Sequence, residues 1–192
     1  PASSIFAVDM NNDGYVDVLV TWYDENANED FAWYENNGAQ VFEEHALLLG
    51  MHGAVSVSAA KFNSDGNLDI LLGSHFYVEG NAKIGILLND GSESFEFVKP
   101  ALHEGGDAGA EQIRSVRAAD LDGNGFMDIL AASFSEGVWA YYSRTNWASH
   151  SELIALDADA GASCVSAADV DGDGDTDVVT AAETAGVIAW QE

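Results

Sequence analysis

Ala167-Ala168-Asp169-Val170-Asp171-Gly172-Asp173-Gly174-Asp175-Thr176-Asp177-Val178-Val179-Thr180 is the stretch that decides the fold. Apolar alternation runs into it, five aspartates occupy every second position from 169 to 177, and an apolar run leaves it. Alternation on both sides of a Gly- and Asp-rich segment describes two strands joined by a tight loop. The same pattern occurs three more times: Ala7 to Val20 (AVDMNNDGYVDVLV), Ala59 to Leu72 (AAKFNSDGNLDILL) and Ala118 to Ala131 (AADLDGNGFMDILA). First loop positions at 9, 61, 120 and 169 make this a repeat protein of four units averaging about 48 residues.

Each unit reads as a small antiparallel sheet. A first strand leads into the loop, with Ile5, Val57, Val116 and Val165 four residues before it. A second apolar strand leaves it, and a third carries Phe31-Ala32-Trp33, Ile84-Gly85-Ile86, Trp139-Ala140-Tyr141 or Ile188-Ala189-Trp190. A small residue between large ones suits sheets stacked face to face. A fourth strand is expected near Phe42, Phe95 and Trp147, after turns such as Asn36-Asn37-Gly38 and Asn89-Asp90-Gly91. Leu102 to Gln112 reads as a loop, and no helical period is sustained.

The expected fold is therefore all-β, a β-propeller of four blade repeats over residues 1–192, with blades at about 1–50, 51–105, 106–160 and 161–192. The last repeat stops after its third strand. A closed four-bladed ring, an arc of a longer propeller and part of an oligomeric ring all satisfy the pattern.

The loops follow Asp-x-Asp/Asn-x-Asp/Asn-Gly-x-x-Asp. Side-chain oxygens at positions 1, 3, 5 and 9, with the carbonyl of position 7, suit one Ca²⁺, a hard cation that takes six to eight oxygens. The candidate ligands are Asp9, Asn11, Asp13, Tyr15 and Asp17; Asp120, Asp122, Asn124, Phe126 and Asp128; and Asp169, Asp171, Asp173, Asp175 and Asp177. An EF-hand would need Glu at position 12, where Val20, Ala131 and Thr180 stand. The second loop departs, with Lys61, Asn63, Asp65, Asn67 and Asp69. An ammonium at its first position is expected to replace the ion by a salt bridge and leave the loop weakly occupied or metal-free, giving about three calcium sites.

These loops resemble the FG-GAP and VCBS-type repeats of integrin-like β-propellers over essentially the whole chain. Asp169 to Asp177, the preceding "SAAD" and the following "IAWQE" stand closest to that pattern. The resemblance implies calcium-binding hairpin loops between the first two strands of each blade. Such propellers serve as adhesion heads, lectins or accessory domains of secreted polysaccharide-active enzymes.

Composition limits the partners. Against 33 acidic residues stand 6 Lys and Arg, a formal charge of −27, so no basic stripe exists for nucleic acid or anionic lipid. No apolar run is long enough for a membrane helix. The lone Cys164 lies in an alternating strand and is expected to be buried and inert. With the loops on one end of the blades, the opposite end collects Trp22, Tyr23, His52, His75, Phe76, Tyr77 and Phe134, a surface suited to sugar stacking or protein contact. Trp33, Trp139, Tyr141 and Trp190 are expected to pack between blades. The five histidines show no catalytic spacing, so a non-catalytic module is expected. It would work outside the calcium-poor cytosol and recognise a glycan or an extracellular protein. The alternatives are a structural or extrinsic subunit whose partner completes the last blade, and an accessory domain of a secreted polysaccharide-active enzyme.

Overall fold

The computed structural model describes residues 2–22, 31–39, 41–46, 53–75, 83–92, 94–98, 112–143, 152–156 and 161–192. Fifteen strands and no helix occupy these residues. The first sheet is β1 (Ala2–Val8), β2 (Asp17–Trp22), β3 (Phe31–Asn36) and β4 (Phe42–Ala46), and the second is β5 (Ala54–Ala60), β6 (Asp69–Ser74), β7 (Ile84–Asn89) and β8 (Phe95–Val98). The third is β9 (Ile113–Ala119), β10 (Asp128–Ser133), β11 (Gly137–Tyr142) and β12 (Glu152–Leu156); the fourth holds β13 (Ala162–Ala168), β14 (Asp177–Ala182) and β15 (Val187–Gln191). Every sheet is an antiparallel meander in chain order. This is the propeller-like arrangement expected from four repeats. The fourth strand of the third sheet begins at Glu152; Trp147 lies outside the described residues, as does most of the loop expected at 102–112.

Blades stack through three apolar seams. Leu19, Phe31 and Trp33 of the first sheet meet Val57, Ile70, Leu72 and Leu87 of the second. Leu71, Ile84 and Ile86 of the second meet Val116, Ile129, Ala131 and Tyr141 of the third. Leu130, Val138 and Ala140 of the third meet Ala162, Val165 and Val178 of the fourth. Period-2 alternation explains the division: along β2, β6 and β10 the second residue after the loop faces the next blade, and along β6 and β10 the first and third face the preceding one. The first strands β1, β5, β9 and β13 lie side by side in that order.

Strand pairing corrects the alignment of the third blade. Val20, Leu72 and Thr180 oppose Ala32, Gly85 and Ala189, whereas Ala131 opposes Trp139. Ala140 therefore takes the place of Trp33 and Ile86, one residue earlier than the sequence pattern indicates. The reason is the tight turn at residues 134–136, which closes the hairpin on Ser133 and Gly137 and fixes its register. The small residue at Gly73 admits Ile113 and Val116, since a Cβ there would lie 2.8 Å from both side chains.

Candidate metal loops and the opposite end of the blades

The last residue of each loop motif opens the second strand and is fully buried: Asp17, Asp69 and Asp128 are 0 % exposed and Asp177 is 1 % exposed. A carboxylate there needs partners, and backbone donors provide them. The N–H groups of Met10, Phe62, Leu121 and Val170 donate to Oδ2 of Asp17, Asp69, Asp128 and Asp177. From the end of the third strand, the N–H groups of Asn36, Asn89 and Ser143 donate to Oδ1 of Asp17, Asp69 and Asp128. Asp177 Oδ1 is buried and has no partner among the described residues. Asp17, Asp69 and Asp128 are thus struts between loop and third strand, a structural duty that ligand spacing alone does not reveal.

The first motif residue organises the loop. Asp9 Oδ1 and Oδ2 accept from the N–H groups of Asp13 and Gly14 at 3.1 and 2.9 Å. Asp120 does the same for Asn124 and Gly125 at 3.0 and 2.8 Å. Asp169 accepts from Gly172 and Gly174 at 2.6 and 3.1 Å. Folding the loop so tightly requires left-handed backbone at positions 4 and 6. Asn12 (φ 61°), Gly123 (69°) and Gly172 (84°) supply it at position 4, and Gly14, Gly125 and Gly174 at position 6.

Carboxylate oxygens of Asp120, Asp122 and Asp128 lie within 4.8 Å of one another, as do those of Asp169, Asp171 and Asp177. A further triple, Asp171, Asp173 and Glu192, has the same spacing. Hard, anionic oxygens this close fit Ca²⁺ rather than a thiolate- or imidazole-seeking metal. In the first loop, Asn11 replaces one carboxylate, and its amide donates to Asp13 (3.5 Å) and Glu35 (2.8 Å). Burial pushes the Asp128 carboxyl above its ordinary value; the N–H donors of Ser143 and Leu121 oppose this, and Asp122 and Asp120 add to it.

The second loop lacks the organising carboxylate. Asn63 Oδ1 accepts from Asp65 N–H and Asp65 Oδ1 from Asn67 N–H, but Lys61 offers no acceptor. Lys61 is exposed and forms no ion pair with Asp65 or Asp69, so the expected salt bridge is absent. A solvated ammonium gains little from an exposed partner and loses chain entropy by holding it. Beside it a cleft of about 450 Å³, lined by Asp9, Asn11, Trp33, Lys61, Asn67 and Asn89, separates the first two loops.

At the other end of the blades, Trp22 closes β2, and His75 and Phe134 follow β6 and β10; all three are half-buried. Tyr23, His52, Phe76 and Tyr77 lie outside the described residues. Arg114, which the residue pattern did not single out, stands 5.1 Å over the Phe134 ring. Burial and then Arg114 hold the His75 imidazole below its ordinary pKa. Lys83 is lowered by burial while Glu136 opposes the shift. An acidic chain thus gathers cations and an aromatic ring at one place, a signal present in its sequence only as scattered, distant positions. Trp33 and Tyr141 are buried between blades and Trp139 is half-buried, but Trp190 is 46 % exposed. Cys164 is exposed as well, contrary to expectation, because nothing described packs on the outer face of its strand.

The FG-GAP-like repeat family model matches residues 9–72, 76–131 and 120–180, and the chain belongs to that family. It is 30% identical to integrin alpha-4 of Xenopus laevis over 111 residues, 56% of this chain and 11% of the integrin. In structure it resembles the Bacillus licheniformis rhamnogalacturonan lyase PL11, with a TM-score of 0.54 and 18% identity over 92% of this chain and 39% of the lyase. The chain therefore spans about a tenth of the one and two-fifths of the other. No helix among the described residues is long and apolar enough to cross a membrane.

Proposed function

We propose that the chain is a calcium-stabilised binding module that recognises an extracellular glycan or protein and carries no catalysis of its own. The observation that carries the calcium reading is the convergence of Asp120, Asp122 and Asp128, and of Asp169, Asp171 and Asp177, to within 4.8 Å. Three carboxylates so close repel one another unless a cation or proton joins them. Ca²⁺ in the first, third and fourth loops would neutralise them and lock the strand-to-strand turn. Carbonyls of Tyr15, Phe126 and Asp175 would complete the shells. Those ligands would be committed to structure, and so unavailable as proton shuttles.

Recognition is assigned to the opposite end, where Trp22, His75, Phe134 and Arg114 combine ring faces with hydrogen-bond donors. Family membership and the likeness to an integrin support an extracellular setting, where millimolar calcium is present. Calorimetric titration with Ca²⁺, followed by a glycan array on the calcium-loaded protein, tests both halves. About three sites per chain and a ligand lost on Phe134→Ala are expected. A chain that takes up no calcium ends the first half, and retention of every ligand by the Phe134→Ala and Trp22→Ala variants ends the second.

A further inference from the structure

Two of the three candidate calcium loops carry an amide among their ligand side chains. Asn11 stands at position 3 of the first loop and Asn124 at position 5 of the third. A carboxylate offers oxygen from either end, whereas an amide offers oxygen from one end and N–H donors from the other. An amide therefore serves a cation only when its nitrogen is held away from the ion. In both loops an acceptor for that nitrogen comes from the end of the third strand. Asn11 Nδ2 donates to Glu35 Oε1 at 2.8 Å, and Asn124 Nδ2 donates to the Ser143 carbonyl at 2.7 Å. Each nitrogen also reaches the neighbouring loop aspartate, Asp13 at 3.5 Å and Asp122 at 3.0 Å. The oxygen ends stay within their loops: Asn11 Oδ1 accepts from Asp13 N–H at 3.2 Å, and Asn124 Oδ1 from Phe126 N–H at 2.8 Å.

The second loop differs. Asn63 at position 3 donates to Asp65 of its own loop at 2.9 Å, and Leu88, which accepts nothing through its side chain, takes the register position of Glu35. Glu35 itself is fixed from its far side. Its Oε2 accepts from His45 Nε2 at 2.9 Å, and the His45 ring stacks on Trp33 with 4.5 Å between centroids. Both members of this pair are half-buried. An ionised carboxylate only accepts, so Glu35 determines which end of the Asn11 amide faces it. Glu43 stands directly opposite Glu35 on β4. Like charges so placed weaken a sheet, so strand pairing does not account for Glu35, whereas its contacts with His45 and Asn11 do.

We propose that Glu35 is a positioning residue for the first calcium loop, holding the nitrogen of Asn11 so that its oxygen faces the cation. The Ser143 carbonyl does the same for Asn124. This role rests on the calcium reading of the loops given above. Partners that orient a metal's ligands are commonly worth about 10- to 100-fold in affinity. It follows that Asn11 is not improved by a carboxylate while Glu35 is present, because two acceptors would then face each other.

A Ca²⁺ titration of the whole chain, followed by NMR at the Gly14 backbone N–H, reads the first loop by itself. Glu35→Ala should weaken that site about tenfold. Asn11→Asp should not tighten it despite the added charge, and adding Glu35→Ala to Asn11→Asp should restore at least the original affinity. A role confined to folding requires the same loss from Glu35→Ala in both backgrounds, and that outcome overturns the proposal. The Asn11 side-chain amide supplies a readout in chelator. Its proton facing Glu35 should move upfield in Glu35→Ala and in Glu35→Leu, a second variant that keeps bulk on β3. An unmoved signal overturns the proposal as well. If Gly14 of the unaltered chain ignores Ca²⁺, the calcium reading of this loop falls and the role of Glu35 with it. If Gly14 responds and Glu35→Ala binds as tightly, only the role of Glu35 falls.

Discussion

The second and third metal-type loops close on the same strut and diverge at the other end. Asp69 and Asp128 are equally buried, and each accepts two backbone N–H bonds. Asp120 then gathers the N–H groups of Asn124 and Gly125, while Lys61 gathers none. Backbone follows side chain: position 4 is left-handed Gly123 in one loop, whereas Ser64 in the other is absent from the positive-φ residues. Under the proposed calcium reading Asp128 would serve both the fold and the cation, whereas Asp69 serves the fold alone. The two duties of one acidic motif are therefore separable, and mutations should separate them.

The largest effect is expected at the strut. Asp69→Ala and Asp128→Ala each strand two buried N–H groups, a loss of roughly 3 kcal/mol. In chelator the two variants should be destabilised alike in urea unfolding. In calcium only Asp128→Ala should lose more, because it also loses the ion. Equal losses in calcium would erase the distinction between the loops.

Calcium comes next. At affinities typical of extracellular modules, about 10⁻⁴ to 10⁻³ M, a millimolar concentration stabilises each site by roughly 0.4–1.4 kcal/mol. Chelation should lower the melting temperature, and Asp120→Ala should remove about one site's share. Asn63→Ala in the second loop should leave the calcium response unchanged.

Conversion of the second loop is a smaller and stricter test. Lys61→Asp restores the acceptor, but the remaining backbone asks Ser64 for a left-handed conformation that costs a non-glycine residue about 1 kcal/mol. The double variant Lys61→Asp/Ser64→Gly should therefore bind one additional calcium more tightly than Lys61→Asp alone, by up to roughly fivefold, as read by calorimetry. Equal affinity of the two would show that the loop backbone is not what differs.

The contrast also shows what the residue pattern could carry. Four repeats, their first three strands and the loop positions are local features, so alternation and Asp/Gly spacing exposed them. That Lys61 points to solvent depends on the energetics of an exposed ion pair, which spacing does not encode. The strut role of Asp17, Asp69 and Asp128 depends on N–H donors up to twenty residues away. Exposure of Ile188, Trp190 and Cys164 was illegible because their counterparts are buried by the next blade, a relation between repeats rather than within one. The one-residue offset at Ala140 came from a turn length that the small-residue signature masked.

The smallest effect is in protonation. Burial raises both Asp69 and Asp128 above the ordinary carboxyl value of 3.8. A raised carboxyl pKa means the folded chain holds its proton more tightly than the unfolded chain. Each group thus favours folding in acid and gives up that advantage as pH climbs from 3.8 through the folded value. Calcium should reverse this at one site only, because a cation beside Asp128 favours its charged form while Asp69 keeps its neighbours. Carboxyl ¹³C shifts followed through a pH titration should show both groups titrating high in chelator. With calcium present, Asp128 should move down and Asp69 stay. A calcium-induced shift at Asp69 would mean that the second loop holds the ion despite Lys61, and no shift at either would leave the third loop a purely structural turn.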